Sequence, residues 1–411
     1  MERELSTQEV ADRLGVKPET VYAYVSRGLL TSRRSGTGRG SVFDAKEVEA
    51  VARKRRPVSG SPNGVAGITV RTAITLIESD RYYYRGVDAV TLARRYRFED
   101  VAGWLWTGML TEGVDFAPAQ AALTAARNAV TALPAGRGLL DVLRVATVAA
   151  AVADPLRFDL TTETVHASAR SLIGTLVAAI PVQGPADGTS PPDDAAVAAN
   201  LGYRLAPGQP DPAMSRCLDA ALVLLIDHDL AASTFAARVA ASARANPYAV
   251  VSAALGALEG PLHGAASSGA HRMLAEALDQ GSAATVVAEH LREGRRIPGL
   301  GHRLYPREDP RAELLLEIVA GWPAAEAATR MAREIAATAA ARAPLYPNID
   351  MALAVLSVSA GMPPDAGECI FAIARTVGWI AHALEEYDER PLRMRPSGQY
   401  TGPKPPQPIP G

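Results

Sequence analysis

A chain of 411 residues is long enough for two or three domains with buried cores, and its 48% hydrophobic and 21% charged residues are ordinary for a water-soluble globular protein. Only two cysteines, Cys217 and Cys369, are present, the start MERELSTQEV has no apolar signal core, and the apolar run at 142–153 is short and broken by Arg144; a disulfide framework and a membrane span are excluded, and a cytoplasmic setting is expected. The formal charge of −2 hides an asymmetry: residues 1–60 hold 12 Lys+Arg and 8 Asp+Glu, +4, leaving 30 and 36, −6, for the rest, so the two parts are expected to meet different partners.

The first 56 residues read as one compact unit. Ser6 followed by Glu9 is a capping box, and Val10, Ala11 and Leu14 mark the apolar face of the helix it opens. Gly15 ends that helix. Pro18 suits the first turn of a second one, whose stripe is Val21, Val25 and Leu29. The stretch TSRRSGTGRGSVF predicts a short hairpin or wing, and a third helix is expected over about 44–55. Residues 57–66, rich in Pro, Gly and Ser, read as a linker.

From about Ile68 the pattern is almost wholly helical, in keeping with the Ala-rich composition. Amphipathic segments fall at 87–97, 98–110, 117–132, 137–152, 161–180, 213–227, 233–244, 247–257, 265–280, 283–293, 309–320, 323–341, 349–358 and 365–385. Long strands are absent. Residues 181–193 and 205–212 are loops by composition, and the Pro/Gly-rich tail after Pro396 is expected to lie extended.

Three of the seven histidines lie in short segments dense with Gly, Pro or charge: LLIDHDLAAST, LEGPLHGAASSGA and IPGLGHRLYPREDPRA. A fourth segment, PLYPNIDMALAVL, brings Asp350 just after Pro347-Asn348. Such neighbours place a polar residue at a helix end or tight turn, beside free backbone N–H groups. Each histidine alone is compatible with a capping or core role; taken together their order is distinctive. His263 in LHG, His302 in GHRLY with DPR behind it, and Asp350 in YPNID are similar to the signature segments of the citrate synthase family. The resemblance extends to TAITLIESDRYYYRGVDAVTLA, RFEDVAGWLWTG, ARTVGWIAHALEEY and MRPSGQYTGP, and covers about 335 residues in the family's order.

That resemblance implies a mainly α fold and a set of roles. Asp350 matches the carboxylate that removes a proton from the methyl group of acetyl-CoA, His263 the donor that stabilises the enolate, and His302 the group that polarises the oxaloacetate carbonyl. His228 matches a further oxaloacetate contact. Arg311, Arg375 and Arg395 match the arginines that bind the dicarboxylate, the last reaching the partner's site in a homodimer. Gly299, Leu300 and Gly301, with Arg307 beside them, match the coenzyme A-binding loop. Neither a metal nor a redox cofactor is implied; the acyl-CoA is a substrate. The chain departs from the family's commonest pattern at Ala231 (Asn), Ala265 (Gly), Ser267 (Asn), Pro306 (a basic residue) and Met351 (an aromatic). These changes bear on substrate choice and coenzyme A affinity, not on the three catalytic positions.

The first 56 residues resemble the winged helix-turn-helix of the MerR and excisionase families, which implies DNA as a partner. Lys17, Thr20, Tyr22, Arg27, Arg33, Arg34 and Arg39 are then the candidates for phosphates and base edges. The expected architecture places a large helical domain at 67–264 and 376–411 and a smaller one at 265–375, with the site in the cleft between them. The readings left open are citrate synthesis, 2-methylcitrate synthesis from propionyl-CoA, a metabolite-sensing DNA-binding regulator, and enzyme and regulator combined.

Overall fold

The computed structural model describes residues 4–14, 21–22, 24–25, 30–34, 41–45, 47–48, 70–78, 80–183, 195–260, 263, 266–396 and 400–407. The chain divides into two compact units, Met1–Val70 and Arg71–Gly411.

In the first unit the capping box forms as its chemistry requires. The Ser6 N–H and hydroxyl both donate to Glu9 Oε2 at 2.8 Å, and the Glu9 N–H donates to Ser6 Oγ at 3.3 Å. This opens α1 (Thr7–Leu14). The predicted wing is an antiparallel pair, β2 (Ser32–Arg34) with β3 (Ser41–Asp44), in the register Ser32 to Phe43. A strand that the sequence reading missed, β1 (Glu4–Ser6), pairs with β3 on its other side. Three polar-flanked residues carry no period-2 signal of their own; pairing with β3 makes them a strand. Leu5, Val10, Ala11, Val21, Leu30, Phe43 and Val48 form a separate small core. Thr31, just before β2, donates from N–H and hydroxyl to the Glu47 carboxylate at 3.0 and 2.9 Å, tying the wing to the helical backbone at Glu47–Val48. The linker at 57–66 lies outside the described residues.

The second unit is mainly α. It starts with a small meander, β4 (Thr75–Glu78), β5 (Arg81–Tyr84) and β6 (Val87–Asp88). The alternation in RYYY buries Tyr82 and Tyr84, whose hydroxyls donate to Leu224 O and Val223 O, each at 3.1 Å. Next come α2 (Ala89–Arg95), α3 (Phe98–Thr107), α4 (Gln120–Thr131), α5 (Leu139–Ala153) and α6 (Thr162–Ala179). The middle of the unit holds α7 (Val197–Leu205), α8 (Pro212–Leu225), α9 (Ala232–Ser242) and α10 (Pro247–Leu258). It closes with α11 (Ala266–Gln280), α12 (Ala283–Arg292), α13 (Pro310–Ala320), α14 (Glu326–Ala340), α15 (Ile349–Ser359) and α16 (Ala366–Asp388).

Three of these helices start with the same device: Asp211-Pro212, Asn246-Pro247 and Asp309-Pro310 each put an accepting side chain at the cap and proline in the first turn. The amphipathic segments read from the sequence each correspond to a helix here, with small differences at the ends. Helix α7 was missed, because Pro/Gly-rich stretches flank it and shorten the visible period. Helix α16 is the axis of the unit: Ile370 to Ala383 are buried almost without interruption, and it packs on α8, α9 and α10. No described helix is long and apolar enough to cross a membrane.

Candidate active site

The site starts where α8 ends. Leu225 closes the helix, and Asp227 and His228 follow before Asp229 takes a left-handed φ of 58° and turns the chain into α9. Gly378 of α16 makes this close approach possible, since a Cβ added there would stand 2.3 Å from Ile226 O. Asp227 is fully buried; its Oδ2 accepts from the Thr75 hydroxyl at 2.5 Å and from His382 Nε2 at 3.2 Å. His228 is also buried, with Nε2 2.8 Å from the Tyr305 hydroxyl. Burial, and then the charges of Arg311 and Arg375, push its pKa well below the ordinary histidine value.

Facing it are residues delivered by the loop before α13. The His302 ring stands edge-on to His228, centroids 5.4 Å apart, and is stacked on Tyr305 at 5.0 Å. The Leu304 N–H donates to His302 Nδ1 at 3.1 Å, and Arg311 Nη2 approaches Nε2 at 3.3 Å. Both neighbours are donors, so they favour an uncharged ring. Burial, with Arg311 next, pushes the His302 pKa down to about 4. Arg311 is buried and held by Asp309, with Nε 2.9 Å from Oδ1 and Nη2 2.7 Å from Oδ2.

The loop 299–301 is locked to the start of α15. Gly299 and Gly301 have φ of 76° and 79°, conformations that suit glycine. The Gly301 N–H donates to Tyr346 O at 2.8 Å and the Asn348 N–H to Gly299 O at 2.9 Å. Asn348 also donates from Nδ2 to Gly301 O at 2.8 Å, while its Oδ1 caps α15 by accepting from the Asp350 N–H at 2.9 Å. One asparagine thus fixes both the glycine loop and the turn carrying Asp350. The Asp350 carboxyl is surrounded by protein, although the residue retains some accessible surface. Burial raises its pKa to about 6; Arg311 opposes this, and Asp309 and Glu368 reinforce it.

The third wall comes from α16 and α9. Arg375 is buried, with its Nε donating to Leu225 O at 2.8 Å and its guanidinium over the Phe371 ring at 4.4 Å. Among the described residues it has no carboxylate within ion-pair distance, and burial lowers its pKa. His263 lies edge-on to the same Phe371, centroids 6.3 Å apart. Its Nε2 is 3.3 Å from the Ser233 N–H and 2.8 Å from Ser233 Oγ. A backbone N–H can only donate, so Nε2 accepts and the ring proton sits on Nδ1. Burial lowers the His263 pKa, which keeps the ring neutral.

Of the residues singled out in the sequence, His228, His302, Arg311 and Arg375 converge. His263 joins them through Phe371, and Asp350 lies within the field of Arg311 and Asp309. Gly299, Leu300 and Gly301 line the approach to α15. Arg307 and Arg395 are exposed and make no hydrogen bond or ion pair with this cluster among the described residues. In the first unit Tyr22 and Arg33 are exposed and Arg34 belongs to β2, whereas Lys17, Thr20, Arg27 and Arg39 lie outside the described residues. Sequence reasoning missed Tyr305, Ser233 and the partners of Asp227, although Tyr305 and Ser233 stand in the quoted segments GHRLY and LAAST. Ala231, at one of the departures, is the cap of α9 and makes no side-chain capping bond. No group of three or more His, Cys, Asp or Glu among the described residues is placed to hold a metal ion.

Residues 64–397 match the family model described as citrate synthase, C-terminal domain. The chain belongs to the citrate synthase family. It carries that family's enzyme class, an acyltransferase performing citrate synthase-type condensation. It is 31% identical over 369 residues to the citrate synthase of Haloferax volcanii, covering 83% of this chain and 96% of that one. With citrate synthase 2 of Bacillus subtilis it is 37% identical over 216 residues, covering 52% of this chain and 58% of that one. The solved structure of citrate synthase from Pyrobaculum aerophilum matches with a TM-score of 0.69 and 26% identity, over 92% of this chain and 97% of that one. That from Thermotoga maritima matches with a TM-score of 0.64 and 28% identity, over 85% and 98%. Residues 4–56 match a helix-turn-helix domain model, in line with the winged unit seen here.

Proposed function

We propose that this enzyme condenses acetyl-CoA with oxaloacetate and water to give citrate and coenzyme A. The observation that carries the substrate assignment is the pair Arg311 and Arg375, both buried beside neutral His228 and His302, with Arg375 lacking a carboxylate partner among the described residues. A buried guanidinium with no carboxylate in ion-pair contact is completed by a bound anion, and a dicarboxylate fits the pair. In this reading Asp350 takes the methyl proton, its raised pKa making it a stronger base than an ordinary carboxylate. His263 donates from Nδ1 to the developing enolate oxygen, and His302 polarises the oxaloacetate carbonyl, each worth about 10² to 10⁴ in rate. The loop 299–301, with Arg307 nearby, receives coenzyme A. No metal or redox cofactor takes part.

The same reading divides the chain after the linker into a large domain (67–264 and 376–411) and a small one (265–375) that closes on oxaloacetate, excluding water until condensation is complete. Arg395, exposed and away from its own cluster, is proposed to complete the site of a partner in a homodimer. The helix-turn-helix match and exposed Arg33 favour a DNA-binding role for the first unit. A gel shift with fragments upstream of the gene tests that role, and no shift at low salt removes it.

The deciding assay is thiol release from acetyl-CoA, with and without oxaloacetate, run beside propionyl-CoA. Oxaloacetate-dependent release faster with acetyl-CoA supports the assignment. Faster release with propionyl-CoA makes the enzyme a 2-methylcitrate synthase, and no release with either removes the catalytic reading.

A further inference from the structure

Helix α16 carries a polar stripe on a buried face. Arg375, Gly378, His382 and Glu386 follow at steps of three and four residues, so they share one side of the helix. Asp227 presses on the middle of that stripe: a Cβ added at Gly378 would lie 3.0 Å from both Asp227 Cβ and Oδ1. On the far side of His382 stands Arg238 of α9, with Nη1 2.8 Å from His382 Nδ1. Guanidinium can only donate, so Nδ1 accepts; Nε2 then carries the ring proton and donates to Asp227 Oδ2 at 3.2 Å. Arg238 is itself fixed, with Nε 3.1 Å from Glu386 Oε2 and Nη1 2.7 Å from Glu385 Oε2. Asp227, Arg238, His382 and Glu386 are all exposed by 1% or less.

In this saturated chain one atom stands out. Asp227 Oδ1 is buried and has no hydrogen-bond partner among the described residues. An unpaired buried acceptor is unfavourable, so the free oxygen calls for a role beyond joining helices. Its segment already holds Arg375, whose Nε donates to Leu225 O at 2.8 Å two residues before Asp227, and the Asp227 charge favours the protonated guanidinium against the effect of burial. Asp227 also immediately precedes His228, so its position sets the backbone from which that ring projects.

We propose that Asp227 and His382 are positioning residues for the oxaloacetate half of the site: Arg238 fixes the tautomer of His382, His382 fixes the Asp227 carboxylate, and Asp227 orients Arg375 and His228. The proposal rests on the reading of the site given above. It concerns oxaloacetate and leaves the acyl-CoA half, built around the 299–301 loop and Asp350, untouched.

The test uses the full-length protein and the variants His382→Leu, His382→Gln and Asp227→Asn, each checked for native fold by near-ultraviolet circular dichroism. Glutamine presents an acceptor to Arg238 and a donor to Asp227, leucine neither. The expected result is a KM for oxaloacetate raised by about tenfold or more in His382→Leu and Asp227→Asn, with KM for acetyl-CoA changed less than about threefold and substantial recovery in His382→Gln. Calorimetric titration with oxaloacetate alone is expected to show the same loss of affinity. Equal changes in both KM values, or no advantage of glutamine over leucine, overturn the proposal. Wild-type protein that binds oxaloacetate without releasing thiol, with binding weakened in the variants, ends the catalytic reading and leaves the positioning role standing. Turnover unaffected in the variants does the reverse, and wild-type protein that binds no oxaloacetate ends both.

Discussion

Replacing Asp350 by Asn separates what the residue does for catalysis from what it does to stability. In the folded chain burial raises the Asp350 pKa from 3.8 to about 6. The folded state therefore holds the proton more tightly than the unfolded chain, and ionisation opposes folding. The sign follows directly: the penalty is near zero below pH 3.8, grows between there and about 6, and is constant above. At 1.36 kcal/mol for each pKa unit, it comes to about 3 kcal/mol at pH 8 and about 1 kcal/mol at pH 4.5. Part of it is offset because a carboxylate in the first turn of α15 gains roughly 0.3–1 kcal/mol from the helix N-terminus, which the amide forgoes. Asp350→Asn is thus expected to be more stable than wild type by about 2 kcal/mol at pH 8 and by clearly less at pH 4.5, while oxaloacetate-dependent thiol release falls by about 10² to 10⁴. Thermal unfolding midpoints at the two pH values, together with the thiol assay, measure both. A variant no more stable at pH 8, or a difference that does not change with pH, refutes the burial argument. Activity within tenfold of wild type refutes the role of the base.

Three further outcomes follow from the same geometry. The kcat/KM for acetyl-CoA at saturating oxaloacetate should fall tenfold per unit as pH drops from about 6 to about 5, where Asp350 takes up its proton while His302, at about 4, is still neutral; a rate that holds level down to pH about 5 would contradict this. Gly378→Ala drives a methyl group to 2.3 Å from Ile226 O, a backbone atom with little room to move, so a loss of about 2 kcal/mol or more is expected, with a raised KM for oxaloacetate; an unfolding midpoint equal to wild type would show that the interface yields. Ser233→Ala removes the hydroxyl 2.8 Å from His263 Nε2 but keeps the backbone donor at 3.3 Å, so kcat should drop by about tenfold or less with KM for oxaloacetate unchanged, and a 10³-fold loss would mean that the hydroxyl has a direct part in the chemistry.

The sequence by itself determined the helical character of the second unit, most of its helices, the capping box at Ser6 and Glu9, and the glycine loop before His302. All of these are local: a 3.6-residue period, a cap, or a proline in a first turn acts within one or two turns of chain. It also exposed His228, His263, His302 and Asp350, because each stands in a short segment dense with Gly, Pro, Asn or charge, whereas Arg311, Arg375 and Arg395 were marked only by the resemblance to the family. Strand β1, the meander β4–β6 and helix α7 were hidden, since such short strands exist by pairing with their neighbours and α7 is bounded by loops that mask its period. Only the tertiary structure decided that Tyr305 holds His228, that Ser233 sets the His263 tautomer, and that Asp227, 155 positions before His382, is joined to it in the core. Partners so distant in sequence leave no local pattern, and the depressed histidine and raised carboxylate pKa values come from burial that no single segment carries.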